Sequence, residues 1–135
     1  MEDQPLKKYQ LPFCTTEIYK DYMLTVMNEG ITVSPEYNAL LTEIAEHHFR
    51  NTTPFVYITH RINSYAVNPA VYRETSKIPN LVGFAVVSKN PIQKQQTKVE
   101  KVFFDKAFQD FETLDEALAW KDKLIRRPTK KISQK

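Results

Sequence analysis

Apolar, strand-like runs alternate along the chain with the starts of four helices. Three of these starts share one device, a small polar residue followed directly by proline: Ser34 with Pro35, Asn68 with Pro69, and Asn90 with Pro91. The polar side chain caps the first turn, and proline loses no hydrogen bond there because the first helical N–H has no partner within the helix. The fourth start, at residues 113–116, has the Thr-x-x-Glu spacing of a capping box. The pattern predicts an α/β chain.

The strand-like runs differ in how their apolar residues are spaced. Residues 55–59 and 81–87 are continuously apolar, which is typical of strands covered on both faces, so we predict that they are central and parallel. Gly83, inside the second run, predicts the close approach of a helix or a neighbouring strand. The shorter runs at residues 17–20 and 22–27 predict an antiparallel hairpin.

Helical spacing predicts one helix from Pro35 to Phe49, a short one from Pro69, and two more after Asn90 and Thr113. In the third helix we expect one apolar face to pack inward and the opposite, polar side to be solvated; the expected inward residues are Ile92, Val99, Val102 and Phe103. With a last strand at residues 107–111, the chain predicts an open mixed sheet of five strands, one antiparallel at the edge, covered by four helices.

Composition limits the class of protein. A chain of 135 residues with 41% apolar residues predicts one domain over residues 1–127. Residues 128–135 are basic, and we expect a disordered tail there, with nucleic acid not an expected partner. The single cysteine, Cys14, leaves no internal disulfide, and no apolar run is long enough to span a bilayer, so we expect a cytoplasmic protein without membrane insertion.

Candidate chemistry concentrates in the 59–68 loop, because ligands of open α/β sheets bind outside the carboxyl ends of the strands. The loop is longer than the usual connection of about 2–6 residues, and it precedes a helix N-terminus, which favours anions. Six of its residues are candidates for binding or regulation: His60, Arg61, Asn63, Ser64, Tyr65 and Asn68. In the alternative interpretation the loop has no binding role. The side chains of Asn63 and Ser64 then only form hydrogen bonds with the backbone of the turn, and Tyr65 packs on the protein surface.

Enzymatic and metal sites fit this sequence poorly. Ser64 lacks the Gly-x-Ser-x-Gly elbow of serine hydrolases, and no acid is placed to orient His60, so a hydrolase is the less favoured alternative. His47 and His48 are adjacent and point about 100° apart on a helix, so they cannot share an ion. We expect no metal and no cofactor.

Three segments resemble a known family: residues 54–72 (PFVYITHRINSYAVNPAVY), 78–88 (IPNLVGFAVVS) and 111–120 (FETLDEALAW). Together they resemble the STAS superfamily, sulfate transporter and anti-sigma-factor antagonist domains, and most of all its SpoIIAA-like, STAS/SEC14-type branch of small bacterial proteins. The resemblance covers roughly residues 12–125. It implies a SpoIIAA-like fold with an N-terminal hairpin followed by parallel βα units.

The resemblance also implies a role for the 59–68 loop. In anti-sigma-factor antagonists a serine or threonine at this place is phosphorylated by a partner kinase, and the added charge breaks a protein interface. Ser64 is the corresponding candidate acceptor, with Asn63 where the family has aspartate, although Tyr65 replaces the small residue that usually follows. The function expected is a non-enzymatic regulatory or protein-interaction module that binds a kinase, an anti-sigma-type regulator or a small anionic ligand. A lipid- or nucleotide-like ligand bound between the second helix and the sheet edge is the alternative.

Overall fold

A computed structural model describes the backbone of residues 4–133 and the side chains of residues 4–126. Its strands are β1 (Lys7–Gln10), β2 (Cys14–Ile18), β3 (Tyr22–Met27), β4 (Thr32–Val33), β5 (Phe55–His60), β6 (Ala66–Val67), β7 (Leu81–Val87) and β8 (Ala107–Phe111). Its helices are α1 (Pro35–Phe49), α2 (Ala70–Thr75), α3 (Pro91–Lys101) and α4 (Leu114–Ser133). None of the helices in the described part of the chain is long and apolar enough to cross a membrane.

The main sheet has the strand order β1-β2-β3-β5-β7-β8. The predicted hairpin is present as β2 and β3, and the predicted parallel pairing of β5 with β7 is confirmed, with Tyr57 opposite Phe84. The prediction of five strands with the antiparallel one at the edge was wrong, because a sixth strand, β1, pairs antiparallel with β2 on its outer side. The antiparallel strand of the sheet is therefore β2, and β1 forms the edge. Its sequence, Lys-Lys-Tyr-Gln, is mostly exposed and polar, as suits an edge strand, so it carries no apolar signal.

Helices cover both faces of the sheet. The parallel strands follow one another in a single direction across the sheet, so right-handed crossovers place α1, α2 and α3 on the same face. The larger core cluster lies on this face and includes Leu41, Tyr72 and Phe84. The chain then returns along the other face as α4, which buries Ala117 against β5 and β7.

The predicted caps are present at the starts of the helices. The Ser34 Oγ accepts the backbone N–H of Tyr37 at 3.2 Å, and the Asn90 Oδ1 accepts the N–H of Ile92 at 2.8 Å. Thr113 and Glu116 bond reciprocally to each other's backbone N–H at the start of α4, as the capping box requires. These side chains fix where each crossover helix begins, and therefore where the loops that precede the helices end.

At its far end, α4 continues past the predicted domain boundary. The helix runs to Ser133, so residues 128–133 are helical where the sequence predicts a disordered tail, and residues 134–135 lie outside the described residues.

The predicted orientation of α3 was wrong. Its buried residues are Gln93, Thr97 and Glu100, whereas three of the four residues predicted to face inward point to solvent. The fourth, Phe103, follows the helix and packs half-buried against the core. The exposed fractions are 79% for Ile92, 63% for Val99 and 75% for Val102. The helix therefore turns its polar side towards the domain, and the reason lies in the 59–68 loop.

Candidate functional site

The 59–68 loop is fixed to the segment that follows β3. Within the loop, β6 pairs with β4 in a two-stranded parallel sheet. The N–H of Gly30 donates to the carbonyl of Ser64 at 2.7 Å, and the N–H of Ser64 donates to the Glu29 carboxylate at 2.8 Å. Asn63 adds a third link, from its side-chain amide to the carbonyl of Met27 at 2.8 Å. The long connection predicted from the sequence is thus held in one conformation.

Arg61 fixes the loop from the other side, through α3. Its side chain has no solvent exposure, and it donates to the Glu100 carboxylate at 2.8 Å and to the Thr97 hydroxyl at 3.1 Å. Its guanidinium also lies 4.7 Å from the centre of the Tyr65 ring. Burial alone lowers the pKa of Arg61, but Tyr65 and Glu100 raise it to above its usual value, so the group stays charged. A buried cation must have partners, and this requirement turns the polar side of α3 inward.

Tyr65 is also buried, and its hydroxyl lies 2.9 Å from the hydroxyl of Thr59. Burial raises the pKa of Tyr65. Gln93 on α3 donates to the carbonyl of Asn63 at 3.0 Å, so α3 also binds the loop backbone. Arg61 and Tyr65 therefore hold the loop in place, and neither presents its side chain at the protein surface.

The outer side of the loop is formed by the remaining candidates. Ser64 and Asn68 are exposed, and Ile62 between Arg61 and Asn63 is 66% exposed. The Asn68 Oδ1 accepts the N–H of Ala70 at 3.0 Å. The short helix α2 begins at Ala70, one residue later than predicted, with Pro69 at its N-cap position. His60 is half-buried at the end of β5, and this burial lowers its pKa. The surface available to a partner therefore centres on Ile62 and Ser64.

A cleft of about 390 Å³ opens beside the loop, at the carboxyl ends of β5 and β7. Its lining includes His60, Ile62 and Lys89. Acidic groups compensate the cations around it, because Lys94 forms an ion pair with Glu112 and this contact, with Lys89 nearby, lowers the pKa of Glu112. The first N–H groups of α3 are already bound by Asn90. Arg61 and Glu112, which line the cleft, are therefore both held in ion pairs, and Lys89 is a further cation on its wall.

The pocket that the alternative prediction places between α2 and the sheet edge, for a lipid- or nucleotide-like ligand, is small. A cavity of about 20 Å³ lies between α1, α2 and the sheet, lined by aromatic and aliphatic side chains that include Tyr57, Tyr65 and Phe84. This volume suits about one water molecule and not an acyl chain or a nucleotide. The surface groove between α1 and α2 is larger, about 550 Å³, but carries Glu43 and Glu74, which disfavour anionic ligands.

Ser64 and His60 are the pair on which the hydrolase alternative depends. Within the described side chains, no hydrogen bond joins the His60 ring to Ser64, whose backbone N–H is bound by the Glu29 carboxylate. Among the residues whose side chains are described, no three His, Cys, Asp or Glu groups come together in a way that could hold a metal ion. The charged group bound to Ser64 is Glu29, which accepts its backbone N–H.

Sequence reasoning missed the residues that position the loop, above all Glu100 and Thr97 on α3 and Glu29 after β3. One signal was available. Gln93, Thr97 and Glu100 recur at spacings of four and three residues, so they form a polar stripe as regular as the apolar one. The sequence does not show that Arg61 is buried, so from the sequence either the polar or the apolar stripe of α3 could face the core.

Comparison with solved structures identifies the fold. The chain is similar to an uncharacterised protein from the DUF3478 family with a SpoIIAA-like fold, from Shewanella loihica PV-4, with a TM-score of 0.53 and 19% sequence identity. The alignment covers 79% of this chain and 90% of that one. The chain is therefore a SpoIIAA-like α/β domain, which confirms the fold implied by its resemblance to the STAS superfamily. No family model and no curated protein matches the sequence.

Proposed function

We propose that the chain is a non-enzymatic, STAS-type regulatory module that binds a protein partner through the outer side of the 59–68 loop. The observation that carries this proposal is the exposed Ile62 on a loop held from two sides. The flanking Arg61 is buried in an ion pair with α3, and Ser64 is bound by the segment after β3. A loop that is already ordered loses little conformational entropy on binding, so it suits recognition.

A protein partner fits this surface better than a small anion does. Arg61, the cation nearest the centre of the loop, is neutralised by Glu100, and Lys94 is paired with Glu112. An exposed aliphatic side chain such as Ile62 contributes to binding by losing contact with water, which an apolar protein surface provides and an inorganic anion does not. The compensated charges and the exposed side chain together favour a protein interface.

Replacing Ile62 with serine should lower the amount of captured partner by about tenfold, because burying one large aliphatic side chain contributes about 1.5–3 kcal/mol. The measurement is quantitative mass spectrometry of proteins retained from a lysate of the source cells by the immobilised chain. Leu6→Ser is the matched control, because Leu6 is 70% exposed and precedes the edge strand β1, which β2 and β3 separate from β5. If both variants capture equal amounts of the partner, the 59–68 loop is not part of the interface.

Replacing Ser64 with aspartate should also abolish most of the capture and loosen the loop. A negative side chain at Ser64 lies next to Glu29, whose carboxylate binds the Ser64 N–H at 2.8 Å, so like charges would repel each other. Ser64→Asn is the neutral control of the same shape, and Glu29→Gln should restore loop order in the aspartate variant. Loop order is read from hydrogen exchange of the Gly30 N–H. A Ser64→Asp variant that captures its partner normally would rule out Ser64 as a regulatory acceptor.

A further inference from the structure

The outward face of α3 presents a row of apolar side chains to solvent. Ile92, Val99 and Val102 are 79%, 63% and 75% exposed. They are seven and three residues apart, so they lie along one side of the helix, and we call them the α3 stripe. Of the six exposed large apolar side chains among residues 4–126, two lie on α3 and a third, Val102, is the C-cap residue directly after it. Single exposed aliphatic residues are ordinary, but an aligned group on one element is typical of an interaction surface.

The orientation that exposes the α3 stripe is enforced from inside the domain. Glu100 on the opposite side of the helix neutralises the buried Arg61, and Thr97 accepts a second hydrogen bond from the same guanidinium. Rotating the helix to bury the stripe would separate this ion pair and leave Arg61 buried without a partner, at a high cost. The stripe is therefore a fixed feature of the folded domain.

Lysine residues flank the α3 stripe on one side only. Lys94, Lys98 and Lys101 are three or four residues apart and follow the edge of the stripe, while the opposite edge carries Gln96. Lys98 and Lys101 are exposed. Lys94 is paired with Glu112, so the cations open to a partner are Lys98 and Lys101. A complementary partner would present apolar side chains to the stripe and carboxylates to these two lysines.

We propose that the α3 stripe docks an acidic amphipathic helix of another protein. A second copy of this chain fits less well, because a symmetric dimer repeats the same surface on both sides, and this surface carries lysines beside the stripe and, within residues 91–102, no row of carboxylates to meet them. A membrane fits less well, because helices that lie in the lipid interface use larger side chains such as Trp, Phe and Leu, whereas these three are β-branched. The inference rests on α3 alone and is independent of the function proposed for the 59–68 loop.

The test uses a defined probe, a fluorescent helical peptide with leucine along one face and glutamate along one flank, beside a counterpart with lysine at the glutamate positions. Fluorescence anisotropy should show binding of the acidic peptide only, with NMR shifts confined to α3. Val99→Asp should weaken this binding by about tenfold or more, and Val99→Lys should weaken it less because the added cation attracts the peptide. Leu6→Asp, a similarly exposed position at the far edge of the sheet, should leave it unchanged.

Several outcomes would overturn the proposal. Equal binding of the two peptides, or NMR shifts outside α3, would show that the surface has no preference for an acidic helix. Binding of phosphatidylglycerol vesicles that Val99→Asp abolishes would assign the stripe to a membrane. A concentration-dependent dimer that Val99→Asp dissociates would assign it to self-association. Ile62→Ser distinguishes the α3 stripe from the 59–68 loop. This variant should leave peptide binding intact even if the proposed role of the loop fails.

Discussion

Replacing Glu100 with alanine is expected to lower the free energy of unfolding by about 3–5 kcal/mol, because it leaves the charge of Arg61 buried without its partner. The side chain of Arg61 has no solvent exposure and that of Glu100 has 6%, so water cannot replace the lost carboxylate. Urea denaturation followed by circular dichroism measures this loss. The same variant should speed hydrogen exchange at the loop amides, since the ion pair is one of the links between α3 and the loop.

The combined replacement Arg61→Met with Glu100→Leu should recover most of the stability lost in Glu100→Ala. Removing both charges avoids an unpaired buried cation, and buried ion pairs replaced by apolar residues are often neutral or stabilising. The Nε of Arg61 makes no hydrogen bond within the described part of the chain, so the native pair does not fully offset its desolvation.

Glu74→Ala is the matched control for Glu100→Ala. The Glu74 carboxylate pairs with Lys77 at 3.1 Å but is 62% exposed, so its loss should change the free energy of unfolding by less than about 1 kcal/mol. If Glu100→Ala destabilises the domain no more than Glu74→Ala does, the buried pair is not what orients α3.

Gly83→Ala is expected to destabilise the domain by about 1–3 kcal/mol through overpacking beneath α4. A Cβ atom at this position would lie 2.7 Å from the Leu124 Cδ1 and 3.0 Å from the Trp120 ring. Because the first of these contacts is with the end of a side chain, Leu124→Ala should relieve it, and the double variant should lose less stability than the sum of the single variants. Thermal and urea unfolding measure the coupling.

Gly30→Ala serves as the comparison for Gly83→Ala. Gly30 has φ of +79°, and a Cβ atom at this position would have no neighbouring atom within 4 Å, so its replacement costs about 1 kcal/mol through the backbone alone. Leu124→Ala should not reduce that cost. Full additivity of Gly83→Ala with Leu124→Ala would contradict the close approach of α4 as the reason for glycine at position 83.

Local features of the sequence predicted the framework of the fold. Capping residues such as Ser34 and Asn90 marked the helix starts, because a cap depends on a few neighbouring residues. The continuous apolar run at Leu81–Val87 marked a central strand, because only a strand covered on both faces tolerates it. Gly83 predicted the close approach of a helix or a neighbouring strand, because a residue without a Cβ leaves room for one, and the neighbour is the helix α4.

The candidate loop was found from the sequence, but its internal organisation was not. Its position after β5 and its unusual length were enough to select it. Which side chains face outward depends on pairing with distant segments, namely β4 and the Glu29 carboxylate. The edge strand β1 escaped prediction for a related reason: its polar residues gain their order from pairing with β2 and not from burial of their own side chains.

What the sequence determined by itself was therefore the order of strands and helices, the parallel centre of the sheet and the place of the candidate site. Only the tertiary structure decided which face of α3 is buried. That helix carries a polar and an apolar stripe of equal regularity. Arg61 determines which of them is buried, through its ion pair with Glu100, although the two residues are 39 positions apart along the chain. A buried charge must be compensated wherever its partner lies in the sequence, so the ion pair, and not the local hydrophobic pattern, fixes the orientation of α3.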